Sequence, residues 1–405
     1  MQSHKRSRPA AQMHPQDVHA LRQSIPWWGD IGPDVSAELN LPSLEEVSPL
    51  SAQPFDVVVI GGGVTGLNAA LCARTLGLQV LLLEREACLG YGATGRNAGI
   101  LSAGVNMALA DVPEDSPVAA FWPETTRELL SLVDEARKPG AILSARLTGS
   151  ISLAESRNAA HHLEREARAR LDADLRAELW TPAQVAEATA GRLNVSSVRN
   201  ALWLPDEGRI HPLTLLAHLA KQARAAGVQF AGQACVAAYE EQGSLWQITL
   251  ASGTTLSTRG LISAVGPTAA PNARIYALAF TIDLPPDFPD FWDASPYTYT
   301  DFRAGNGRIG ASGGRYGKAG ITKHDASYHR RMAEAARHWL PELADKAPLF
   351  TWAVDLAVSA DMIPQLRPLG KVAPGFAIEG LGALGVLPGT LLGRRAAEAI
   401  VQCLD

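Results

Sequence analysis

The chain has 405 residues, more than one ordinary core encloses, which suggests two domains. With 47% hydrophobic and 19% charged residues, its composition is typical of a packed globular protein and argues against a disordered chain. The net charge of −5 gives no reason to expect nucleic acid, and the basic stretch of residues 5–8 is interpreted as a solvated tail.

No apolar segment reaches the roughly 18 residues that span a bilayer, and the N-terminus lacks the hydrophobic centre of a secretory signal. We therefore expect a cytoplasmic protein. Residues 1–54 are predicted to form an extended tail that Trp27 and Trp28 anchor on the body. The spacing of the cysteines matches neither a metal site nor a redox pair, so buried or partly buried thiols are expected at Cys72, Cys88, Cys235 and Cys403.

Residues 56–84, DVVVIGGGVTGLNAALCARTLGLQVLLLE, predict a strand, a glycine turn, a helix and a second strand. Gly61 permits the tight turn, Gly63 lets a pyrophosphate approach the backbone, and Gly66 lets the helix pack closely on the strand. The phosphates would rest on the helix N-terminus. Glu84 ends the second strand, where a carboxylate can accept both ribose hydroxyls and disfavours a 2′-phosphate. This unit predicts a dinucleotide site.

A second glycine-rich loop follows at residues 89–101, LGYGATGRNAGIL, with Thr94, Arg96 and Asn97 as its polar content. Here the chain resembles the D-amino-acid oxidase (DAO) family of FAD-dependent amine oxidoreductases. Members of that family follow the dinucleotide turn with an A-S/T-G-R-N-G-G-like segment that contacts the pyrophosphate and flavin. Ala98 stands where the family has a glycine.

The resemblance implies a Rossmann-like α/β domain that binds FAD and is interrupted by an α+β substrate domain with a mixed or antiparallel sheet. The predicted segments are 55–105, 205–266 and 357–405 for the FAD-binding domain, and 106–204 and 267–356 for the substrate-binding domain.

Within the first insertion an apolar stripe recurs every four residues and predicts one amphipathic helix. Its members are Leu163, Ala167, Leu171, Leu175 and Leu179. In the second insertion, residues 301–317 predict strands separated by turns. Near the C-terminus, residues 384–389 form a glycine-containing turn before a helix predicted at 390–401. In the family this turn lies against the flavin pyrimidine, but Leu384 replaces the polar residue that relatives commonly have there.

The resemblance also implies the residues of the FAD site and a noncovalent flavin, because no cysteine falls where relatives attach it. The residues assigned to FAD are Gly61, Gly63, Val64, Thr65, Gly66, Glu84, Arg85, Thr94, Arg96, Asn97, Ala98, Gly99, Ile100, Val236, Gly266, Gly385, Val386 and Leu387. No catalytic residue is identified. The candidates are Asn97, Arg303 and His211, although a histidine before proline at a helix start is more often a capping residue.

Amino-acid-specific members of the family carry W-x-G-L-R-P-x-x-x-D-G-x-P, in which the arginine binds the substrate carboxylate. Trp352, Asp361 and Pro364 keep this spacing, but Leu356 occupies the arginine position. The branch typified by gamma-glutamylputrescine oxidase also lacks the arginine. Asp355 either adds negative charge nearby or is a structural acid. A carboxylate could instead bind Arg303, Arg308 or Arg315, and a plain surface role is about as common for each.

We therefore expect an enzyme that oxidises a C–N bond of an amine, of the gamma-glutamyl-amine or polyamine kind, by hydride transfer to flavin. The imine is then hydrolysed, and oxygen or another acceptor reoxidises the flavin. Two alternatives stay open: an FAD-dependent amino-acid oxidase or dehydrogenase with another electron acceptor, and an FAD-binding protein with degraded catalysis. The substrate's identity and the oligomeric state are not determined by the sequence.

Overall fold

The computed structural model describes residues 24–47, 55–113, 116–266, 271–293, 300–316 and 319–404. The side chains of residues 315 and 316 are excepted. The basic stretch of residues 5–8 lies outside these ranges. The described helices are α1 Pro26–Asp30, α2 Pro33–Leu39, α3 Val64–Thr75, α4 Phe121–Ala136, α5 Arg157–Asp172, α6 Pro182–Ala188, α7 Pro212–Ala226, α8 Asp325–Trp339 and α9 Val386–Leu404. The described strands are β1 Phe55–Ile60, β2 Val80–Leu83, β3 Ile100–Leu101, β4 Ala145–Leu147, β5 Ser150–Ala154, β6 Glu178–Trp180, β7 Asn200–Leu204, β8 Gly208–Ile210, β9 Gln229–Ala231, β10 Val236–Gln242, β11 Leu245–Leu250, β12 Thr255–Ser263, β13 Ala273–Thr281, β14 Asp290–Asp293, β15 Thr300–Gly305, β16 Arg308–Tyr316, β17 Phe350–Leu356, β18 Gln365–Pro368 and β19 Gly375–Glu379.

The first sheet has the order β10-β11-β12-β1-β2-β9, and β19 pairs with both β12 and β18. Strand β1 pairs in parallel with β2 and β12, which places it inside the sheet. The uninterrupted apolar run of residues 57–60 suits this position, because a parallel strand is covered on both faces. Helix α3 ends before Gly77, whose φ of +98° only glycine adopts readily. The predicted strand, turn, helix and strand are confirmed.

The second sheet has the order β17-β13-β16-β15-β14-β5-β7-β6. Its pairings are antiparallel except between β5 and β14, so the sheet is mixed. Strands β15 and β16 form a hairpin through Asn306 and Gly307, which both have positive φ, as a two-residue hairpin turn requires. Two large sheets, one around a parallel centre and one mixed, confirm the predicted fold class.

The strands of the first sheet come from residues 55–60, 80–83, 229–263 and 365–379, and those of the second from 150–204 and 273–356. A small sheet, β3-β8-β4, joins segments from both predicted domains. Helix α4 belongs to the range predicted for the substrate-binding domain, yet its Trp122 and Leu129 are buried in the core that underlies the first sheet. Glu128 in α4 also pairs with Arg394 of α9 at 2.7 Å.

The predicted apolar stripe is only partly correct. Helix α5 ends at Asp172, Leu171 is 56% exposed, and Leu179 is exposed within β6. Residues four apart advance 400° around a helix and so drift by 40° at each step. A strict four-residue repeat therefore leaves the buried face, and the buried positions in α5 include Ala159, Leu163 and Ala167.

The predicted N-terminal tail contains two short helices, α1 and α2, so the expectation of an extended segment is wrong for residues 26–39. Helices α1 and α2 each have proline in their first turn. Proline lacks a backbone N–H, but an N–H at this position would have no acceptor within the helix. The anchoring role of the tryptophans is confirmed. Trp27 Nε1 donates to the carbonyl of Asn97 at 2.8 Å, and buried Trp28 donates to that of Gly95 at 3.2 Å.

Two expectations near the C-terminus are corrected. Helix α9 begins at Val386, four residues before the predicted start. Pro388 does not prevent this, because it lies in the first turn, where helix N–H groups have no internal acceptor. Cys403, at the end of this helix, is exposed, whereas Cys72, Cys88 and Cys235 are buried or partly buried as predicted. Among the residues that the structure describes, no helix has both the length and the apolar character needed to cross a membrane.

Candidate cofactor and substrate site

A cavity of about 2260 Å³ is lined by residues of both large sheets. Its volume exceeds the roughly 300–1,000 Å³ of ordinary small-molecule pockets, so it has space for a dinucleotide together with a substrate. One end is formed by the glycine turn after β1, the end of β2 and the start of β10. The other end is formed by β13 to β17 of the second sheet and by α5.

The glycine turn has the geometry of a phosphate cradle. Gly61 adopts a φ of +102°, and a Cβ on Gly66 would overlap the carbonyl oxygen of Gly61. The N–H of Gly62 donates to Glu84 Oε2 at 2.7 Å, which joins the turn to the end of β2. Burial raises the pKa of Glu84. Gly62 was missed because the motif leaves this position open, yet a Cβ there would overlap Leu89.

The second glycine-rich loop packs directly on the first. Thr94 Oγ1 accepts from the backbone N–H of Val64 at the start of α3, at 3.3 Å. The Asn97 amide donates to the Thr94 carbonyl, and its Oδ1 accepts from the N–H of Gly99, both at 2.8 Å. Asn97 therefore braces the loop from within.

The turn before α9 is held by Asn106, a residue that the sequence did not single out. Its amide donates to the carbonyl of Leu381 at 2.9 Å, and its Oδ1 accepts from the N–H groups of Ala383 and Leu384 at 2.8 and 3.0 Å. Gly382 has a φ of +61° and no room for a Cβ beside the Asn106 side chain. Two N–H groups of the turn are thus used internally.

Most residues assigned to FAD line the cavity: Gly61, Gly63, Val64, Thr65, Glu84, Arg85, Thr94, Arg96, Asn97, Ala98, Ile100, Val236, Gly266, Gly385 and Val386. Three assigned residues do not. Gly66 faces the turn from the helix side, Gly99 lies against the carbonyl of Ile210, and Leu387 is buried in the core because α9 begins one residue earlier.

The catalytic candidates lie apart. Asn97 lines the cavity, whereas His211 and Arg303 do not. His211 caps α7, with Nδ1 accepting from the N–H of Thr214 at 3.4 Å, and burial lowers the pKa of its imidazole. Arg303 is buried with its guanidinium 4.7 Å from the centre of the Trp292 ring. The capping role therefore accounts for His211, and Arg303 supports the wall behind Trp292.

One register row of the second sheet faces the cavity. Its directly paired members are Leu202, Ser152, Trp292, Asp301, Ser312, Ala277 and Trp352, and all of them line the cavity. Trp352 Nε1 donates to the carbonyl of Arg96 at 2.9 Å, which ties this row to the second glycine-rich loop. Leu356, farther along β17, also lines the cavity. Side chains two residues apart share a face of the strand, as the lining by Trp352, Val354 and Leu356 illustrates.

A buried charge cluster borders the same end. Arg170 Nε donates to Glu166 at 2.7 Å, and its NH1 lies 3.4 Å from Glu207. Glu207 also accepts from the hydroxyls of Ser102 and Ser150, at 2.8 and 2.5 Å. Burial lowers the pKa of Arg170, but the two carboxylates outweigh it and the net change is upward. The cluster was missed, although Glu166 and Arg170 have the i,i+4 spacing of a helical ion pair.

Asp301 is the acid of the register row. It is 6% exposed, and its Oδ2 accepts from the Ser312 hydroxyl at 2.5 Å. Its Oδ1 is buried and makes no hydrogen bond within the part of the chain that the structure describes. Burial raises the pKa of this carboxyl to about 6, against the charge of Arg303.

Two further charged residues considered for substrate binding, Asp355 and Arg308, do not line the cavity. Asp355 pairs with Arg274 at 2.8 Å and does not line the cavity, which fits the structural role. Arg308 pairs with Asp30 of α1. The Arg315 side chain lies outside what the structure describes.

Comparison with known proteins agrees with this site. The DAO family model, described as FAD dependent oxidoreductase, matches residues 56–399. The probable oxidoreductase OrdL of Rhizobium meliloti (strain 1021) is 28% identical over 401 residues, covering 92% of this chain and 89% of that protein. Gamma-glutamylputrescine oxidoreductase of Escherichia coli (strain K12) is 40% identical over 80 residues, only 20% of this chain and 17% of that protein.

The fold is also that of solved structures. Glycine oxidase from Geobacillus kaustophilus superposes with a TM-score of 0.75 at 18% identity, covering 87% of this chain and 95% of that one. The family model spans far more than half of the sequence. The chain therefore belongs to the DAO family of FAD-dependent oxidoreductases.

Proposed function

We propose that this protein oxidises a C–N bond of an amine that needs no carboxylate for recognition. The observation that carries the proposal is Leu356, which lines the cavity at the position where amino-acid-specific relatives have arginine. An aliphatic side chain can neither pair with a carboxylate nor donate a hydrogen bond to it. An α-amino acid would therefore bind with its carboxylate unmatched at this position.

The other cations of the cavity support the same substrate class. The arginines among its described lining residues are Arg85, Arg96 and Arg170, and each already has an acceptor. Arg85 pairs with Glu86 at 3.0 Å, and Arg96 donates to the carbonyl of Tyr91 at 2.8 Å. Arg170 is held between two carboxylates. Arg85 and Arg96 are among the residues assigned to FAD, and Arg170 is already neutralised by two carboxylates, so in this proposal none of the three serves a substrate carboxylate.

The residues of the first sheet fit FAD. In this proposal the turn of Gly61 and Gly63 and the N-terminus of α3 hold the pyrophosphate, since a helix N-terminus presents free N–H groups and a positive dipole. Glu84 faces the ribose, and Val236 borders the adenine. When bound, FAD supplies the hydride acceptor. Its attachment is noncovalent, because the lining cysteines, Cys88 and Cys235, belong to the nucleotide end of the cavity.

The protein's own contribution is to orient the substrate and to exclude water. The register row of the second sheet provides a flat wall in which Trp292 and Trp352 flank Asp301, Ser312 and Ala277. Such a wall positions a C–H bond without a dedicated acid or base, because hydride transfer needs alignment and a neutral reacting amine. The division into an FAD-binding and a substrate-binding domain is part of this proposal.

The test is an anaerobic absorbance titration of the purified protein with monoamines, diamines, gamma-glutamyl amines and α-amino acids. We expect amines to remove the oxidised-flavin band and amino acids to leave it unchanged. Admission of air then distinguishes an oxidase, whose band returns at once, from a dehydrogenase that needs another acceptor. Reduction by amino acids alone would contradict the proposal, and a flavin that no amine reduces would indicate a protein with degraded catalysis.

A further inference from the structure

The N-terminal ends of helices α3 and α9 border the same cavity and are packed closely together. A Cβ on Gly389 would overlap Thr65 Oγ1, and one on Gly393 would overlap the Thr65 carbonyl oxygen, so α9 lies directly on the first turn of α3. Gly63 caps α3, Gly385 precedes α9, and both line the cavity. The start of α9 is therefore fixed beside the helix that holds the pyrophosphate in the proposed FAD site.

The start of α9 is a positive helix end. The N–H of Gly389 donates to the carbonyl of Gly385 at 3.0 Å, which is the first backbone bond of the helix. The N–H groups of Gly385 and Val386 lie ahead of any acceptor in the helix, and Pro388 has no N–H. Because Gly385 and Val386 line the cavity, the positive end of the helix dipole borders the cavity.

The turn that leads into α9 is clamped by Asn106. Its side chain donates to the Leu381 carbonyl at 2.9 Å and accepts from the N–H groups of Ala383 and Leu384, at 2.8 and 3.0 Å. Gly382 adopts a φ of +61°, and a Cβ there would overlap the Asn106 side chain. The clamp therefore fixes the path of the chain immediately before the positive end of α9.

This clamp affects a bound flavin through the charge that reduction adds. Transfer of hydride gives the flavin one negative charge, whereas the oxidised ring is neutral. A positive helix end beside the ring therefore binds the reduced form more tightly than the oxidised form. Relatives place this turn against the flavin pyrimidine. A turn that is held in place thus raises the reduction potential of the flavin, and a loosened turn lowers it.

We propose that Asn106 is a positioning residue that sets the reduction potential of the bound flavin by holding the turn before α9. It acts through the turn and the helix, and it needs no contact with the substrate. This inference rests on the proposed FAD site and adds a residue that controls how readily the cofactor accepts hydride. Asn106 is also the first residue of the predicted substrate-binding domain, so its clamp connects the two predicted domains.

The test compares the reduction potential of FAD in the unmodified protein and in Asn106→Ala, by stepwise reduction in equilibrium with a reference dye. Alanine removes all three bonds of the clamp. We expect affinity for reduced FAD to fall about tenfold more than affinity for oxidised FAD, the size of one interaction between a helix end and a charge. For a two-electron couple, this ratio lowers the potential by about 30 mV.

Asn194→Ala is the matched control. Asn194 also makes three side-chain bonds to its surroundings, in the loop before β7. It donates to the carbonyl of His338 at 3.1 Å and accepts from the N–H and the hydroxyl of Ser196, at 3.1 and 2.7 Å. None of these three residues lines the cavity. We expect the control to lose stability in urea and to keep the potential of the unmodified protein.

A second variant tests the same clamp from the side of the turn. Gly382→Ala leaves Asn106 in the chain but places a methyl group against its side chain, at a φ that alanine adopts with strain. We expect its potential to fall in the same direction as that of Asn106→Ala. This variant decides the question if Asn106→Ala does not retain FAD.

The outcomes separate this inference from the proposed function. Potentials of Asn106→Ala and Gly382→Ala equal to that of the control would overturn the role of Asn106, whatever their stability. Failure of both variants to hold FAD would assign the residue to binding or folding and would also overturn it. The dye titration needs no substrate, so a flavin that no amine reduces would overturn amine oxidation alone. An unmodified protein that binds no FAD would overturn the cofactor site itself.

Discussion

At the scale of single residues, Asp301 is a buried acid that the fold retains at a cost in stability. Its carboxyl is buried, and one of its oxygens has no described partner. The ionised form is therefore expensive in the protein without a ligand, which is why its pKa is raised to about 6.

This property predicts a pH dependence of stability. The carboxyl holds its proton up to about pH 6 in the folded chain and only to about 3.8 when unfolded. Its contribution to stability is therefore full below about pH 4 and is lost as the pH rises from 4 to 6. A shift of about two pH units corresponds to about 3 kcal/mol.

Urea unfolding at pH 4, 5, 6 and 7, without substrate, measures this effect. We expect Asp301→Asn to lack this component of the pH dependence and to be more stable than the unmodified protein at pH 7. Identical pH profiles for the two proteins would mean that Asp301 is solvated or paired in solution. The comparison cancels the contributions of other titrating groups, because only position 301 differs.

At the scale of elements, helix α1 explains how the N-terminal segment contributes to the cofactor site. Trp27 and Trp28 donate to carbonyls of Asn97 and Gly95 in the second glycine-rich loop, and that loop accepts the first N–H of α3 through Thr94. The segment therefore supports the cofactor site through two layers of backbone contacts, with no need to line the cavity.

Replacement of Trp28 by alanine tests this arrangement. Removal of a buried indole typically costs about 3–5 kcal/mol of folding stability, and here it also leaves the Gly95 carbonyl without its donor. We expect FAD to be released at lower temperature than in the unmodified protein, as measured by flavin fluorescence during heating. Trp180→Ala is the control, because Trp180 stacks on Trp203 in the second sheet, at a ring separation of 4.6 Å.

We expect the control to lower stability without weakening FAD in the folded state. If both variants bind FAD with the affinity of the unmodified protein below their unfolding temperatures, α1 does not support the loop. Separate measurement of FAD affinity at 20 °C therefore distinguishes a general loss of stability from a local effect on the second glycine-rich loop.

Elements with local signals were predictable from sequence, and those that depend on distant contacts were not. The turn around Gly61 is specified by adjacent residues, so its strand and helix were identified correctly. The length of strand β12 depends on its pairing with β1 and β19, which are distant in the sequence. The role of Asn106 depends on a turn 275 residues away, and no pattern within its own segment indicates that contact.

The same distinction applies to the substrate end of the site. Asp301 and Trp292 come together through strand register, and Arg170 meets Glu207 across 37 positions of the chain. The absence of arginine at position 356 was visible because it breaks a recognisable spacing. The wall that contains Asp301 and Trp292 could not be found in this way, since its residues are ordinary sheet residues until their register is known.

At the scale of the whole molecule, the two sheets have different parts in the proposed function. The first presents glycine turns and a helix N-terminus to one end of the cavity, and the second presents a single register row to the other. Such an arrangement allows substitutions in the second sheet to alter substrate specificity while cofactor binding by the first sheet stays the same. Leu356, at the end of β17, is a position at which such a change is testable with one substitution.

Leu356→Arg is expected to create the carboxylate site that the cavity lacks. The new guanidinium would lie on the cavity face, and Asp355 would not neutralise it, because that carboxylate points to the other face and is bound by Arg274. A charge-assisted hydrogen bond is worth about 1.5–3 kcal/mol, so the ratio of kcat/KM for an α-amino acid to that for the matching amine should rise about 10- to 100-fold. Leu356→Met controls for volume, and anaerobic flavin reduction measures both rates. An arginine variant that retains FAD and shows the ratio of the methionine variant would place Leu356 away from the substrate, and would remove the observation that carries the proposed preference for amines.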